Sequence, residues 1–176
     1  MSQENHVERI LRQRALHLAQ PPAVEAPAKE QIELLEFHLG GERYALETRH
    51  ASELHPLRDL TPLPGTPAFV RGIVNLRGRI LPVYDLRRFF GVPEQGITDL
   101  HRIVVVNGED FELGLLADRV MGVRTLPRAA LSPAPPTLTA IAADYLKGIC
   151  DERLIVLDLE RLLADPRIVV NDGDNE

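Results

Sequence analysis

Hydrophobic positions change their spacing once along this chain, near Gln31. Before it, Val7, Ile10, Leu11, Ala15 and Leu18 recur at helical intervals and form one apolar stripe. Residues 1–20 are therefore expected to hold an amphipathic helix. Pro21 and Pro22 stop it, and the Pro- and Ala-rich stretch 21–30 reads as a linker. After Gln31 the apolar residues gather into short runs between Gly- and Pro-rich turns, which is the signature of strands. The run IELLEFHLGGERYALET predicts a hairpin around Gly40-Gly41. A third run spans His50 to Leu57, and Thr61 to Pro67 is too rich in proline for a helix or a central strand. Strands follow at Gly72–Asn75 and Arg79–Tyr84, then a helical turn at Leu86–Phe90.

The same order then recurs. HRIVVVNGEDFELGLLA again reads strand, turn, strand, and Arg119 to Leu126 is again a third run. Ser132 to Thr137 is a second proline-rich loop, followed by strands at Leu146–Cys150 and Leu154–Leu157 and a helix at Leu159–Ala164. The segment Tyr145–Leu163 is a shortened copy of Phe69–Phe90. Gly72 aligns with Gly148, Asp85 with Asp158 and Arg88 with Arg161. Further back, Gly40 aligns with Gly108, Tyr44 with Phe111 and Leu54 with Val123. The expected fold is all-β. Two halves, about 31–91 and 100–166, each carry about five strands and a helical turn, and build two small barrels that share a core. One asymmetry stands out. The first copy inserts Asn75-Leu76-Arg77-Gly78 where the second has only Asp151-Glu152.

Composition narrows the function. At 176 residues and 44% hydrophobic content, the chain can bury one core or two joined lobes. A net charge of -6, no Trp and 5% aromatics leave neither the basic field nor the stacking surfaces of a nucleic-acid binder. No apolar run is long enough to span a bilayer, and the N-terminal residues lack the apolar segment of a secretory signal. A cytoplasmic protein is expected. The lone Cys150, followed by Asp151 and Glu152, reads as a buried structural thiol. The six histidines show no metal-ligand spacing, and no phosphate loop or nucleophile elbow is present. No catalytic set, cofactor or metal is therefore expected. A small-ligand-binding barrel enzyme is the remote alternative and would need a polar pocket of His50, His55 and Asp118. The tail 171–176 is polar and reads as disordered.

The inserted turn is the best candidate for function. An Arg on a tight Gly-bounded turn projects a guanidinium from a fixed base, which suits recognition across an interface. The motifs around it resemble the CheW coupling-protein family of bacterial chemotaxis. They are Phe37-His38-Leu39-Gly40 with Tyr44-Ala45-Leu46, the loop Thr61-Pro62-x-Pro64-x-Thr66-Pro67, and Val70 to Leu86 containing Asn75-Leu76-Arg77-Gly78-Arg79. The resemblance covers about residues 31 to 166 of a domain spanning 31–170. It implies two intertwined five-stranded SH3-like β-barrels without catalysis.

The resemblance also implies an adaptor that links chemoreceptor tips to the regulatory domain of the histidine kinase CheA, in arrays at the inner membrane. Arg77 and Leu76 in the turn, and Ala51, Glu53 and Leu54 on the third strand, match partner-contact positions. Val120, Met121 and Val123 are the equivalent strand of the second half. Two departures from the family pattern are Ala51, where a larger branched apolar residue is usual, and Gly65, where the loop often has Asn. The segment before Gln31 lies outside the pattern. It raises an alternative in which a related pathway, controlling pili or gene expression, uses the N-terminal helix for an extra partner.

Overall fold

The computed structural model of the protein describes residues 30–93, 96–135, 143–150 and 153–168. The helix and tail expected at 1–20 and 171–176 lie outside them, as does all of the linker expected at 21–30 except its last residue. Ten strands and two helical turns follow in order. They are β1 (Gln31–Leu39), β2 (Glu42–Glu47), β3 (Ala51–Pro56), β4 (Val70–Leu76), β5 (Arg79–Tyr84) and α1 (Leu86–Phe90). After them come β6 (Arg102–Asn107), β7 (Glu112–Ala117), β8 (Arg119–Pro127), β9 (Leu146–Cys150), β10 (Leu154–Leu157) and α2 (Leu159–Leu163). These bounds fall within a few residues of those the hydrophobic pattern predicts.

The strands form two five-stranded sheets, ordered β8-β1-β2-β10-β9 and β3-β6-β7-β5-β4. A sequence half is therefore not a barrel. The hairpin β1-β2 pairs with strands of the second half, and β6-β7 pairs with strands of the first. This is the intertwined arrangement that the family resemblance implies. Each barrel closes over its own apolar interior. Ile32, Leu34, Ala45, Cys150, Leu154 and Val156 fill the first. Val74, Leu81, Val83, Ile103, Val105 and Leu116 fill the second. A larger core lies between the barrels and includes Phe37, Tyr44, Phe90, Val104, Leu115, Tyr145 and Leu162. Successive side chains alternate between barrel interior and shared core, so β6, β7 and β10 are buried on both faces. That is why Ile103 to Val106 reads as a continuous apolar run.

The duplication is visible in hydrogen bonds. Thr61 exchanges two backbone bonds of 2.8 Å with Ile73, and Ser132 exchanges two of 2.8 Å with Ile149. Each proline-rich segment thus covers the outer edge of β4 or β9. Asp85 and Asp158 cap the two helical turns, accepting from the N–H of Arg87 and of Arg161. The backbone N–H of each cap donates to the carbonyl of Phe69 or Tyr145, both at 2.7 Å. The sheet register refines the alignment. Val83 pairs with Gly114 and Val156 with Ala45. Ala45 is thus equivalent to Gly114, and Tyr44 to Leu113 rather than Phe111. Gly40 is equivalent to Glu109, one position from the aligned Gly108. The match of Leu54 with Val123 holds.

A C-terminal strap joins the barrels. Ile168 is buried in the shared core, and its carbonyl accepts from Tyr84 Oη at 2.9 Å. Arg167 donates to Tyr145 Oη and Asp165, and its guanidinium lies 4.6 Å over the Phe89 ring. Those hydrogen bonds from Arg167 hold the Asp165 carboxyl well below the usual carboxylate range, against the opposing effect of burial.

Two outcomes are expected. First, Gly72 has φ +141°, and an added Cβ would sit 2.1 Å from the Thr61 carbonyl oxygen. Gly72→Ala should therefore cost about 3 kcal/mol or more in urea unfolding. Gly65→Ala, at φ +80° in open space, should cost only about 1 kcal/mol. Second, a carboxyl depressed in the fold contributes stability above its unfolded pKa and loses it as pH falls through the folded value. The urea midpoint should therefore drop below about pH 5, and Asp165→Asn should flatten that slope. An unchanged slope in the variant would exclude the strap as its source.

Candidate partner-binding surface

The inserted residues lengthen one hairpin. Val74 pairs with Leu81, and the equivalent pair in the second copy is Cys150 with Leu154. Beyond it β4 and β5 continue through the pairs Asn75–Ile80 and Leu76–Arg79. Arg77 and Gly78 form the two-residue turn, with φ +53° and +87°. Positive φ at both positions is the requirement of a type I′ turn, whose twist matches the strands it joins. Asn75 Oδ1 accepts from the Gly78 N–H at 2.8 Å and fixes the turn. Arg77 stands exposed at the tip, and among the described residues its guanidinium has no partner. Leu76 is half-buried against the second barrel's interior, so it anchors the hairpin. Ile80 is 62% exposed and adds an apolar side chain that the motif reading did not single out.

The other candidates lie on β3 and β8, which end their sheets. Ala51 and Val120 occupy equivalent positions and pack against the shared core. Leu54 and Val123, also equivalent, are 48% and 57% exposed, and Met121 is 50% exposed. Exposed aliphatic side chains along a sheet-terminal strand offer a surface that another chain can cover. The structure thus divides the named residues into an apolar pair of edges and a separate cationic hairpin tip.

Glu53 links the two. It pairs in register with Val105, whose side chain lies inside the second barrel, so Glu53 points to the barrel rim. There it receives hydrogen bonds from His55 Nε2 at 2.8 Å and from Arg79 Nη2 at 2.5 Å. Arg79 also reaches Glu112 at 2.6 Å. The bonds from His55 and Arg79 lower the pKa of the Glu53 carboxyl. Glu53 is thus fixed as an anion, and Arg79 ties it to the base of the Arg77 hairpin.

Beneath these surfaces lies a buried charge cluster that sequence reasoning missed. The Arg87 side chain is 1% exposed. It donates to Asp85 from Nε at 2.9 Å and Nη2 at 2.7 Å, and to Asp118 from Nη1 at 2.7 Å. Asp118 Oδ2 also accepts from the Gly40 N–H at 2.6 Å. His101 Nε2 lies 3.2 Å from Asp118 Oδ1, close enough to interact but not aligned as a hydrogen bond. The other ring nitrogen, Nδ1, is held by Thr98, whose N–H lies 2.9 Å and whose carbonyl oxygen lies 3.1 Å from it. The available signal was the Asp-Leu-Arg-Arg string itself. An Arg directly inside a helix cap, next to apolar neighbours, is badly placed for solvent.

The pocket that an enzyme would need is not formed. His50 lies 3.7 Å from Glu160, His55 is bound to Glu53, and Asp118 serves Arg87. A cleft of about 860 Å³ contains His50 with Tyr84, Glu109 and Glu160, but neither His55 nor Asp118. Among the described residues no His, Cys, Asp and Glu cluster could hold a metal ion.

Comparison with known proteins decides the family. The CheW-like domain family matches residues 33–167. The chain belongs to the CheW-like family. It is 33% identical over 146 residues to the chemotaxis protein CheW of Treponema pallidum, covering 79% of this chain and 86% of that protein. It is 33% identical over 155 residues to protein FrzA of Myxococcus xanthus, covering 85% and 96%. In three dimensions it resembles the crystal structure of the scaffolding protein TtCheW from Thermoanaerobacter tengcongensis, with a TM-score of 0.71 and 30% identity. That match covers 84% of this chain and 96% of the other. The protein is thus a CheW-like scaffold of chemosensory systems, a family of adaptors rather than enzymes. Among the described residues no helix is long and apolar enough to cross a membrane.

Arg87→Met should strand Asp85 and Asp118 facing each other without a cation. Urea unfolding is expected to show a loss of about 3–5 kcal/mol. Adding Asp118→Asn should recover part of it. A loss under about 1 kcal/mol for Arg87→Met would show that the cluster is not needed.

Proposed function

We propose that this chain couples chemoreceptors to the histidine kinase CheA, in the cytoplasm and within receptor arrays at the inner membrane. The observation that carries the proposal is the presence of two chemically distinct exposed surfaces on one CheW-like fold. The lengthened hairpin presents Arg77 with Ile80, and the sheet-terminal strands present Leu54, Met121 and Val123. In this reading the exposed aliphatic side chains of β3 and β8 receive the receptor's helical tip, with Glu53 alongside. Helical hairpins offer apolar stripes that such a surface can cover. Arg77 is the coupling residue, and the hairpin holds it away from the body where a partner can reach it. No bond to substrate is made or broken. The adaptor acts by holding two partners in one geometry, and signal passes as a shift between arrangements of that assembly.

Capture experiments with the cognate kinase and a receptor fragment test this. Arg77→Ala should weaken capture of at least one partner about tenfold, equivalent to about 1.4 kcal/mol. Its melting temperature should stay that of the native chain, because Arg77 has no described partner to lose. Val123→Asp combined with Leu54→Asp should remove receptor capture and keep kinase capture. Failure of the native chain to capture either partner would sink the proposal.

A further inference from the structure

The chain crosses between barrels at two equivalent points. One is the 3-10 turn Thr48–His50 after β2, and the other is Asp118 between β7 and β8. The register that equates Ala45 with Gly114 also equates Arg49 with Asp118. The caps Asp85 and Asp158 equate Arg87 with Glu160, two residues further on. These four positions meet in pairs. Arg49 Nη2 donates to Glu160 Oε1 at 2.8 Å in the first barrel, and Arg87 Nη1 donates to Asp118 Oδ1 at 2.7 Å in the second. One structural contact thus occurs twice with its charges exchanged.

The exchange matters because the two halves otherwise match at the positions that fill the core and cap the helical turns. Apolar residues meet at the equivalent positions Leu46 and Leu115, Leu86 and Leu159, and Ala51 and Val120. Both caps are Asp, and both edge-covering contacts need a Gly. Hydrophobic pattern and turn chemistry would therefore fit equally well a chain in which each half closed on itself. That closed pairing would set Arg49 against Arg87 and Asp118 against Glu160. Like charges would meet at both sites, one of them deeply buried. Asp85 would not relieve it, because it travels with Arg87 in either pairing. The neighbouring pair of Lys147 with Glu47 does not discriminate, since Arg71 stands at the position equivalent to Lys147.

We propose that the sign reversal between Arg49–Glu160 and Asp118–Arg87 selects the strand-exchanged topology over self-closed half-barrels. It acts by penalising the wrong pairing, as charges at coiled-coil flanks do for wrong partners.

Refolding of the full chain from urea tests this, read as the fraction returning to the native elution volume in size exclusion and to the native near-ultraviolet circular dichroism. Arg49 and Glu160 are 56% and 62% exposed, and the buried Glu47, to which Arg49 also donates at 2.7 Å, keeps Lys147 as a partner when position 49 is changed. The double variant Arg49→Glu/Glu160→Arg retains an ion pair in the native fold. It makes both closed pairings attractive, since position 49 then faces Arg87 with a carboxylate and position 160 faces Asp118 with a cation. Its native fraction is expected to fall roughly threefold or more. Arg49→Ala/Glu160→Ala removes the pair without rewarding the wrong one and should lie between the inverted variant and the native chain. Refolding of the inverted variant at the native yield overturns the proposal, as does equal damage from the alanine pair. If the inverted variant does not fold, Arg49→Met/Glu160→Arg against Arg49→Met/Glu160→Ala carries the same comparison, since position 160 then faces no cation at position 49 in the native fold. Equal refolding of those two overturns it.

Discussion

The structure depends on one buried cation. Arg87 sits in the first turn of α1, out of water, and such a charge is tolerable only if every neighbour that satisfies it is in place. Asp85 comes from the same segment, but Asp118 comes from the crossing between β7 and β8 in the other half of the chain. Through Asp118 the cluster reaches the Gly40 N–H at the β1-β2 turn of the other barrel. One guanidinium therefore fixes a helical turn, a chain crossing and a hairpin tip. A core of aliphatic residues alone could slip or re-pair at modest cost. A buried ion cluster with directional hydrogen bonds has one arrangement, and the others leave charge stranded.

Much of this was legible in the sequence, because the repeat is strong. The repeat aligns Gly72 with Gly148, and both are places where backbone passes too close for a Cβ. Asp85 and Asp158 were aligned, and both prove to be caps. Strand bounds followed from short apolar runs and proline loops. The strand exchange was not legible from residues. Sheet pairing between β2 and β10 leaves no local mark, since either half's hairpin offers the same alternation. The Arg87 cluster was missed for a related reason. Its partner Asp118 is 31 residues away, and a lone Arg in a charged string reads as surface. The hairpin alignment slips by one or two residues at Gly108 and Phe111 because it follows residue type, whereas in register the two hairpins have the same length.

The copies differ where the proposed surfaces lie. Of the four strands that end the two sheets, β4 and β9 are covered by the bridges from Thr61 and Ser132. Among the described residues no such bridge covers β3 or β8, and these carry Leu54, Met121 and Val123. Duplication thus supplies a pair of equivalent apolar edges, and a longer β4-β5 hairpin breaks the equivalence by raising Arg77 on one barrel only. In the first copy the extra ladder pairs cost little to add, because an I′ turn and Asn75 close them locally.

On the proposed function, this design favours modest contacts. One guanidinium and a few half-exposed aliphatic side chains cannot supply the buried anchors of a permanent complex. An array supplies what a single contact lacks, since each adaptor held by one partner meets the next at high effective concentration. Weak contacts also leave the assembly free to shift when a receptor changes state, which a tight interface would resist. What the adaptor must contribute is a fixed relation between its two surfaces. The buried Arg87 cluster and the shared core between the barrels provide it, and Arg79 ties the Glu53 rim to the base of the Arg77 hairpin. Rigidity inside the fold and weakness at its edges are then two requirements of the same job.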